Sequence, residues 1–146
     1  MTAAPKVTVK VTRRLAATPE RVFDAWIDPA QASRFLFKTP TGEMVRTAID
    51  ARMGGAFNFT ERRDGQDIEH VGEYLEVDRP RRLAFTFAVP KFSAEKTRVT
   101  IDLAPQGAGA ALTLTHAGVL PDWASRTETG WGMILDGLAA SLAQDG

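Results

Sequence analysis

The sequence predicts an α+β fold: a curved antiparallel sheet of about six to seven strands wrapped on a long C-terminal helix, with two short helices after the first strand. Three observations predict it. Strand-like alternation fills the middle of the chain, from Met44 to His116, while helical signals are confined to its two ends, the segregated order that marks α+β rather than alternating α/β. Trp123 to Leu142 reads as one amphipathic helix, in which Ala124, Trp131, Leu135, Leu138 and Leu142 share a face opposite Met133, Asp136, Ala140 and Gln144. A helix of about 20 residues spans about 30 Å, the reach of a strand of about nine, so a strongly curved sheet can follow it along its length. Finally, 146 residues with 44% hydrophobic content is the size of one domain with a real core, and residues 1–146 are read as a single domain.

In chain order, Val7, Val9 and Val11 alternate with Lys6, Thr8, Lys10 and Thr12 as a strand with one buried face. Thr18-Pro19 supplies an N-cap and a first-turn proline for a short helix carrying Val22, Phe23 and Trp26. Asp28-Pro29 repeats the signal, with Gln31 as capping-box partner, for a second helix carrying Ala32 and Phe35. Met44 to Ile49 is a strand, and Gly54-Gly55 breaks the chain before Ala56 to Glu61, where Phe57, Phe59 and Glu61 share one parity. Asp64-Gly65 is a hairpin signal leading into a long strand, Ile68 to Val77. Asp78-Arg79-Pro80 turns into Arg82 to Ala88, where Leu83, Phe85 and Phe87 share a face, and Pro90 to Glu95 is a loop. Val99, Ile101 and Leu103 mark the next strand; Leu112, Leu114 and His116 are the inward face of the last. Beside the buried face of the C-terminal helix runs a flank of Gly130, Ile134, Gly137 and Ser141, and the two glycines are expected to border open space.

Composition excludes several classes. Net formal charge is zero and the pI is about 6.7, so no whole-molecule field favours nucleic acid. The pairs Arg13-Arg14, Arg62-Arg63 and Arg81-Arg82, with Arg79, have acids nearby and read as solvated turns and strand edges. Without cysteine there is no disulfide, thiol nucleophile or thiolate metal site, which fits a reducing compartment. Met1 to Lys6 lacks an apolar signal core and no stretch approaches the roughly 18 apolar residues of a membrane span, so a soluble, cytoplasmic protein without membrane insertion is expected. No HExxH-like or Asp/Asn-rich loop accompanies the two histidines, and neither metal nor cofactor is expected. Ser33, Ser93, Ser125 and Ser141 sit in no GxSxG setting, and no Gly-Lys-Ser/Thr follows Gly54-Gly55.

A set of words in this order resembles a known family. They are Thr18-Pro19-Glu20-Arg21-Val22-Phe23-Asp24-Ala25-Trp26, Asp28-Pro29, Arg52-Met53-Gly54-Gly55 with Phe57 and Phe59, Gly72 with Glu76-Val77, Pro80-Arg81-Arg82-Leu83, Leu112-Thr113-Leu114-Thr115-His116, and Gly130-Trp131 with Leu135 and Leu138. They resemble the START-like (SRPBCC, birch-pollen-allergen-like, helix-grip) superfamily, and within it the family named for activators of the heat-shock protein 90 ATPase. Where members often carry tryptophans after the second short helix, this chain has Arg34-Phe35-Leu36-Phe37. The resemblance implies a cavity between sheet and C-terminal helix. It does not choose between superfamily activities, which run from binding of lipids, sterols, polyketides or hormones to polyketide cyclisation and chaperone stimulation.

The candidate residues follow from parity and helix phase. His116 points inward near the end of the last strand, as an acid/base or ligand-orienting group, or as a structural imidazole bonded to backbone or helix. Glu61 would act as a base, pair with an arginine such as Arg46 or Arg98, or reach solvent beside the Asp64-Gly65 turn. His70 is set aside for want of apolar neighbours on its parity. Phe35, Phe37, Phe57, Phe59, Phe85, Phe87, His116, Trp123, Gly130, Trp131, Ile134 and Leu135 are the expected ligand-lining set, around a volume that aromatics either fill or leave open at about 300 to 1,000 Å³. The expected function is binding of a small apolar or aromatic molecule. The alternatives are a cyclase or dehydratase-type enzyme using His116 or Glu61, and an interaction protein that touches a chaperone or itself.

Overall fold

The computed structural model describes residues 6–37, 41–91 and 96–145, with side chains described as far as Ala143; most of the Pro90 to Glu95 loop, including Ser93, lies outside the described residues. The elements are β1 (Val7–Leu15), α1 (Pro19–Ile27), α2 (Pro29–Phe35), β2 (Glu43–Ile49), β3 (Ala56–Arg63), β4 (Gln66–Asp78), β5 (Arg82–Phe87), β6 (Thr97–Gln106), β7 (Gly109–Val119) and α3 (Ala124–Asp145). The strands form one seven-stranded antiparallel sheet in the order β1-β7-β6-β5-β4-β3-β2, curved around α3. The first strand therefore pairs with the last, and the two short helices cross from one edge of the sheet to the other.

Local chemistry explains the boundaries. Thr18 accepts a hydrogen bond from the Arg21 amide at 3.3 Å, and Asp28 accepts one from the Ala30 amide at 3.1 Å, each ahead of a proline that needs no amide partner. Gln31 departs from the reciprocal capping box. Its Nε2 donates to the Asp28 carboxylate at 2.9 Å, because the Asp28 amide is already held by the Asp24 carbonyl. At the β3–β4 hairpin Asp64 and Gly65 both take positive φ, 53° and 77°, the pattern of a two-residue turn whose twist matches its strands. Further along β4, a Cβ on Gly72 would lie 1.9 Å from the Thr86 carbonyl oxygen, so only glycine lets β4 and β5 approach there.

Helix α3 has the predicted phase: Trp131, Leu135, Leu138 and Leu142 are buried, Met133, Asp136 and Ala140 exposed. It packs on β1 and α2. Trp123 is not its first residue; it closes a 3-10 turn over Pro121–Trp123 and is half exposed. Beneath α3 the interior is filled. Trp26 meets Phe35 edge to face at 5.4 Å, and Phe37, held at a φ of 58°, stacks on Phe57, His70 and Phe87. About 10 Å³ remains among Trp26, Phe37, Phe59 and Phe85, room for one water at most.

The small-residue flank of α3 divides. A Cβ on Gly130 would meet nothing within 4 Å, as expected, but one on Gly137 would lie 3.4 Å from Phe35 Cβ. Gly137 thus borders α2 rather than open space, because Phe35 is drawn in by its ring contact with Trp26. Gly130→Ala should raise stability by about 0.8 kcal/mol through helix propensity. Gly137→Leu should lower it by about 1 to 3 kcal/mol through overpacking on Phe35, and Leu138→Ala by about 2 to 5 kcal/mol. Urea denaturation of the three variants checks all three signs.

Candidate functional site

Open volume lies at the mouth of the grip, beside the N-terminal half of α3. A cleft of about 280 Å³ is lined by Phe37, Arg63, His70, Phe87, Val89, His116, Thr127, Gly130, Trp131, Met133 and Ile134. Sharing Phe87, Val89, His116 and Thr127, it continues into a wider one of about 520 Å³ that adds Thr97, Leu120 and Trp123. The rim exposes large apolar groups: Met133 at 56%, Trp123 at 50% and Leu120 at 39%. Of the sequence-predicted lining, Phe37, Phe87, His116, Trp123, Gly130, Trp131 and Ile134 come together here. Phe35, Phe57, Phe59, Phe85 and Leu135 do not; they are core, packed against α1, α2 and one another.

His116 sits where parity put it, buried at the end of β7, and its hydrogen bonds define its proton. An indole N–H is donor only, so Trp131 Nε1, 2.9 Å away, requires a bare lone pair on His116 Nδ1. The ring proton is then on Nε2 and donates to Thr97 Oγ1 at 2.6 Å, while Thr97 donates onward to the Phe87 carbonyl at 3.1 Å. Burial pushes the His116 pKa down to about 4. Neutral and occupied on both nitrogens, it holds α3 to the sheet.

Glu61 is fully buried on β3 and does not line the cleft. Among the described residues its ion-pair partner is Arg63, two residues on, rather than Arg46 or Arg98; Arg63 donates from Nε and Nη2 to the same carboxylate oxygen. Alternation alone puts Glu61 and Arg63 on one face, so the pair needs no second strand. Gly42 passes so close that a Cβ there would lie 1.9 Å from Glu61 Oε2.

His70 is the residue that sequence reasoning misplaced. It is buried, its ring stacked on Phe37 at 4.9 Å and 7°. Ile68 and Tyr74 share its parity and are buried with it. The signal was present in the hairpin: a two-residue turn pairs Arg63 with Gln66, and counting back sets His70 opposite Phe59. His70 Nδ1 donates to the Phe59 carbonyl at 3.2 Å, and burial pushes its pKa below the ordinary histidine value. Among the described residues no group of three or more His, Asp or Glu side chains could hold a metal ion.

The His116 network predicts a pH dependence. The folded pKa lies below the unfolded value, so between about pH 6.5 and 4 the unfolded chain binds a proton that the folded chain does not. Stability should therefore fall as pH drops through this window, by about 3 kcal/mol from this one group, and be unaffected by it above. His70 acts with the same sign, so the His116 share is read as the difference in pH slope between wild type and His116→Gln in urea titrations. Equal slopes would contradict the assignment.

A family model described as Activator of Hsp90 ATPase homolog 1-like protein matches residues 16–143. No curated protein matches the sequence. Among solved structures, protein CV1439 from Chromobacterium violaceum is 30% identical with a TM-score of 0.83, the alignment covering 91% of this chain and 94% of that one. The AHSA1-like protein from Aeromonas hydrophila is 19% identical with a TM-score of 0.84, over 96% of this chain and 94% of that one. Protein NE0264 from Nitrosomonas europaea, 23% identical over 96% of each chain with a TM-score of 0.81, shares the fold as well. Among the described residues no helix is long and apolar enough to cross a membrane. With its short early helices, its sheet curved about α3 and a family match over most of its length, the chain belongs to the activator of Hsp90 ATPase homolog 1-like family, within the START-like superfamily.

Proposed function

We propose that the protein binds a small apolar or aromatic molecule in the cleft at the mouth of the grip. The START-like fold is a ligand-binding one. The observation that carries the reading is the juxtaposition of Gly130, whose missing side chain faces open space, with the rings of Phe37, Phe87 and Trp131 and with Ile134. Apolar surface left in contact with water around a concave site is what a ligand of matching chemistry would cover. The enzyme alternative built on His116 and Glu61 is weakened, since His116 has both nitrogens engaged and Glu61 is turned to Arg63. A protein partner, a chaperone included, has one observation in its favour, the exposed rim of Leu120, Trp123 and Met133.

Native mass spectrometry of the purified protein, followed by solvent extraction, reports a bound molecule and the oligomeric state together. For a controlled probe, N-phenyl-1-naphthylamine should bind saturably with a rise in its fluorescence. Gly130→Phe, which fills the open space, should weaken that binding at least about tenfold while the urea midpoint is kept. Unchanged probe affinity in a folded Gly130→Phe variant would sink the proposal; capture of a protein with no effect of the probe would favour the partner reading.

A further inference from the structure

At the β3–β4 end of the cleft, two polar side chains stand without a full set of partners against an otherwise apolar lining. Arg63, its side chain one-third exposed, spends Nε and Nη2 on Glu61, and its Nη1 has no partner among the described residues. Across the hairpin, the His70 ring gives its proton-bearing Nδ1 to the Phe59 carbonyl, a group that only accepts. The neutral ring is therefore the Nδ1–H tautomer; the Ile68 carbonyl, which also faces the ring, only accepts, so among the described residues no donor meets the Nε2 lone pair. The lining of the cleft thus includes a donor on β3 and an acceptor on β4. His116, the other titratable ring there, offers neither, being occupied by Trp131 and Thr97.

We infer that the cleft selects carboxylic acids with an apolar body, Arg63 Nη1 donating to one oxygen of the head group and His70 Nε2 facing the other. This rests on the proposed apolar-ligand function and names the head group that the ligand carries. Charge balance supports it. The Glu61 carboxylate is already met by Arg63 and the His70 ring is neutral, and an acid entering with its proton brings no net charge into a partly buried site. That proton lies between the second carboxyl oxygen and His70 Nε2; on either atom the sum of charges is the same, and no bond other than the O–H or N–H is made or broken. A hydrocarbon or an ester leaves the Nε2 lone pair unmet, which is the stronger source of discrimination in a desolvated site. Phe37 and Phe87, stacked at 4.9 Å and 8°, and Trp131 line the cleft beside the pair and would take the body, aromatic or aliphatic.

The test is calorimetric titration of the intact protein at about pH 5, close enough to the ordinary carboxyl range for the free acid to supply its own proton, with naphthalene-2-carboxylic acid and with octanoic acid, each against its methyl ester. The expected result is that at least one acid binds roughly 10- to 100-fold more tightly than its ester, the range of one or two hydrogen bonds to charged groups. In Glu61→Gln/Arg63→Gln, which removes both charges of the ion pair together, the acid-to-ester ratio should collapse towards one. His70→Phe, which keeps the stack on Phe37 and removes both nitrogens, should lower the ratio independently of the first variant. Esters that bind as well as their acids to the wild type overturn this inference and leave the apolar-ligand function standing. Failure of both acids and both esters to bind overturns the two together, and an acid preference that survives in both variants overturns the assignment to Arg63 and His70.

Discussion

A donor-only indole and an acceptor-only carbonyl bracket a buried chain of hydrogen bonds that joins α3 to the sheet. Between the Trp131 N–H and the Phe87 carbonyl lie His116 and Thr97, and the two ends permit one arrangement of protons in the neutral network. A single network thereby ties the first half of α3 to β7, to β6 and to the end of β5. Its members are buried or partly so, where an unmet partner costs about 1 to 3 kcal/mol. The mouth of the grip is built on this constraint: it fixes the Trp131 ring, and with it one wall of the cleft, while the same ring packs against Phe37 and Phe87.

The second constraint is volume. A sheet curved over a helix must fill its interior or leave it open, and here Phe37 decides the matter. It follows α2, takes a left-handed backbone conformation and stacks on rings from β3, β4 and β5. With Trp26, Phe57, Phe59 and Phe85 it closes the deep interior and shifts the open volume towards Gly130. The positive φ of a phenylalanine is a backbone cost, offset by some of the densest aromatic contacts in the molecule.

Much of this was legible in the sequence. Capping residues at Thr18 and Asp28, the Asp64-Gly65 turn, the parity of Leu83, Phe85 and Phe87, and the phase of α3 are short-range signals, and each has its structural counterpart. What was not legible depends on contacts between distant segments. Nothing local to Gly137 says that Phe35 lies 3.4 Å from where its Cβ would be, and nothing local to Phe85 says whether its ring lines a cleft or a core. His70 was different. Its register follows from the hairpin, and Ile68 and Tyr74, which lie on either side of it on the same face, carry the signal for its burial.

Arg63 marks the limit of reading charge by composition. Seven arginines in paired or clustered positions all read as solvated, and six of them are: Arg14 is exposed, and Arg13, Arg62, Arg79, Arg81 and Arg82 meet exposed or half-exposed acids on the surface. Arg63 has the same composition around it but an odd number in a strand whose odd residues point inward, and it is drawn to the one fully buried carboxylate among the described residues. Parity, not the neighbouring charges, separates it from Arg62. Apolar lining of this kind selects by size and shape and discriminates poorly between ligands of similar volume. Chemical selectivity in such a fold therefore has to come from the few polar groups that parity carries to the wall of the cleft, and here those are the Arg63 Nη1 donor and the His70 Nε2 lone pair.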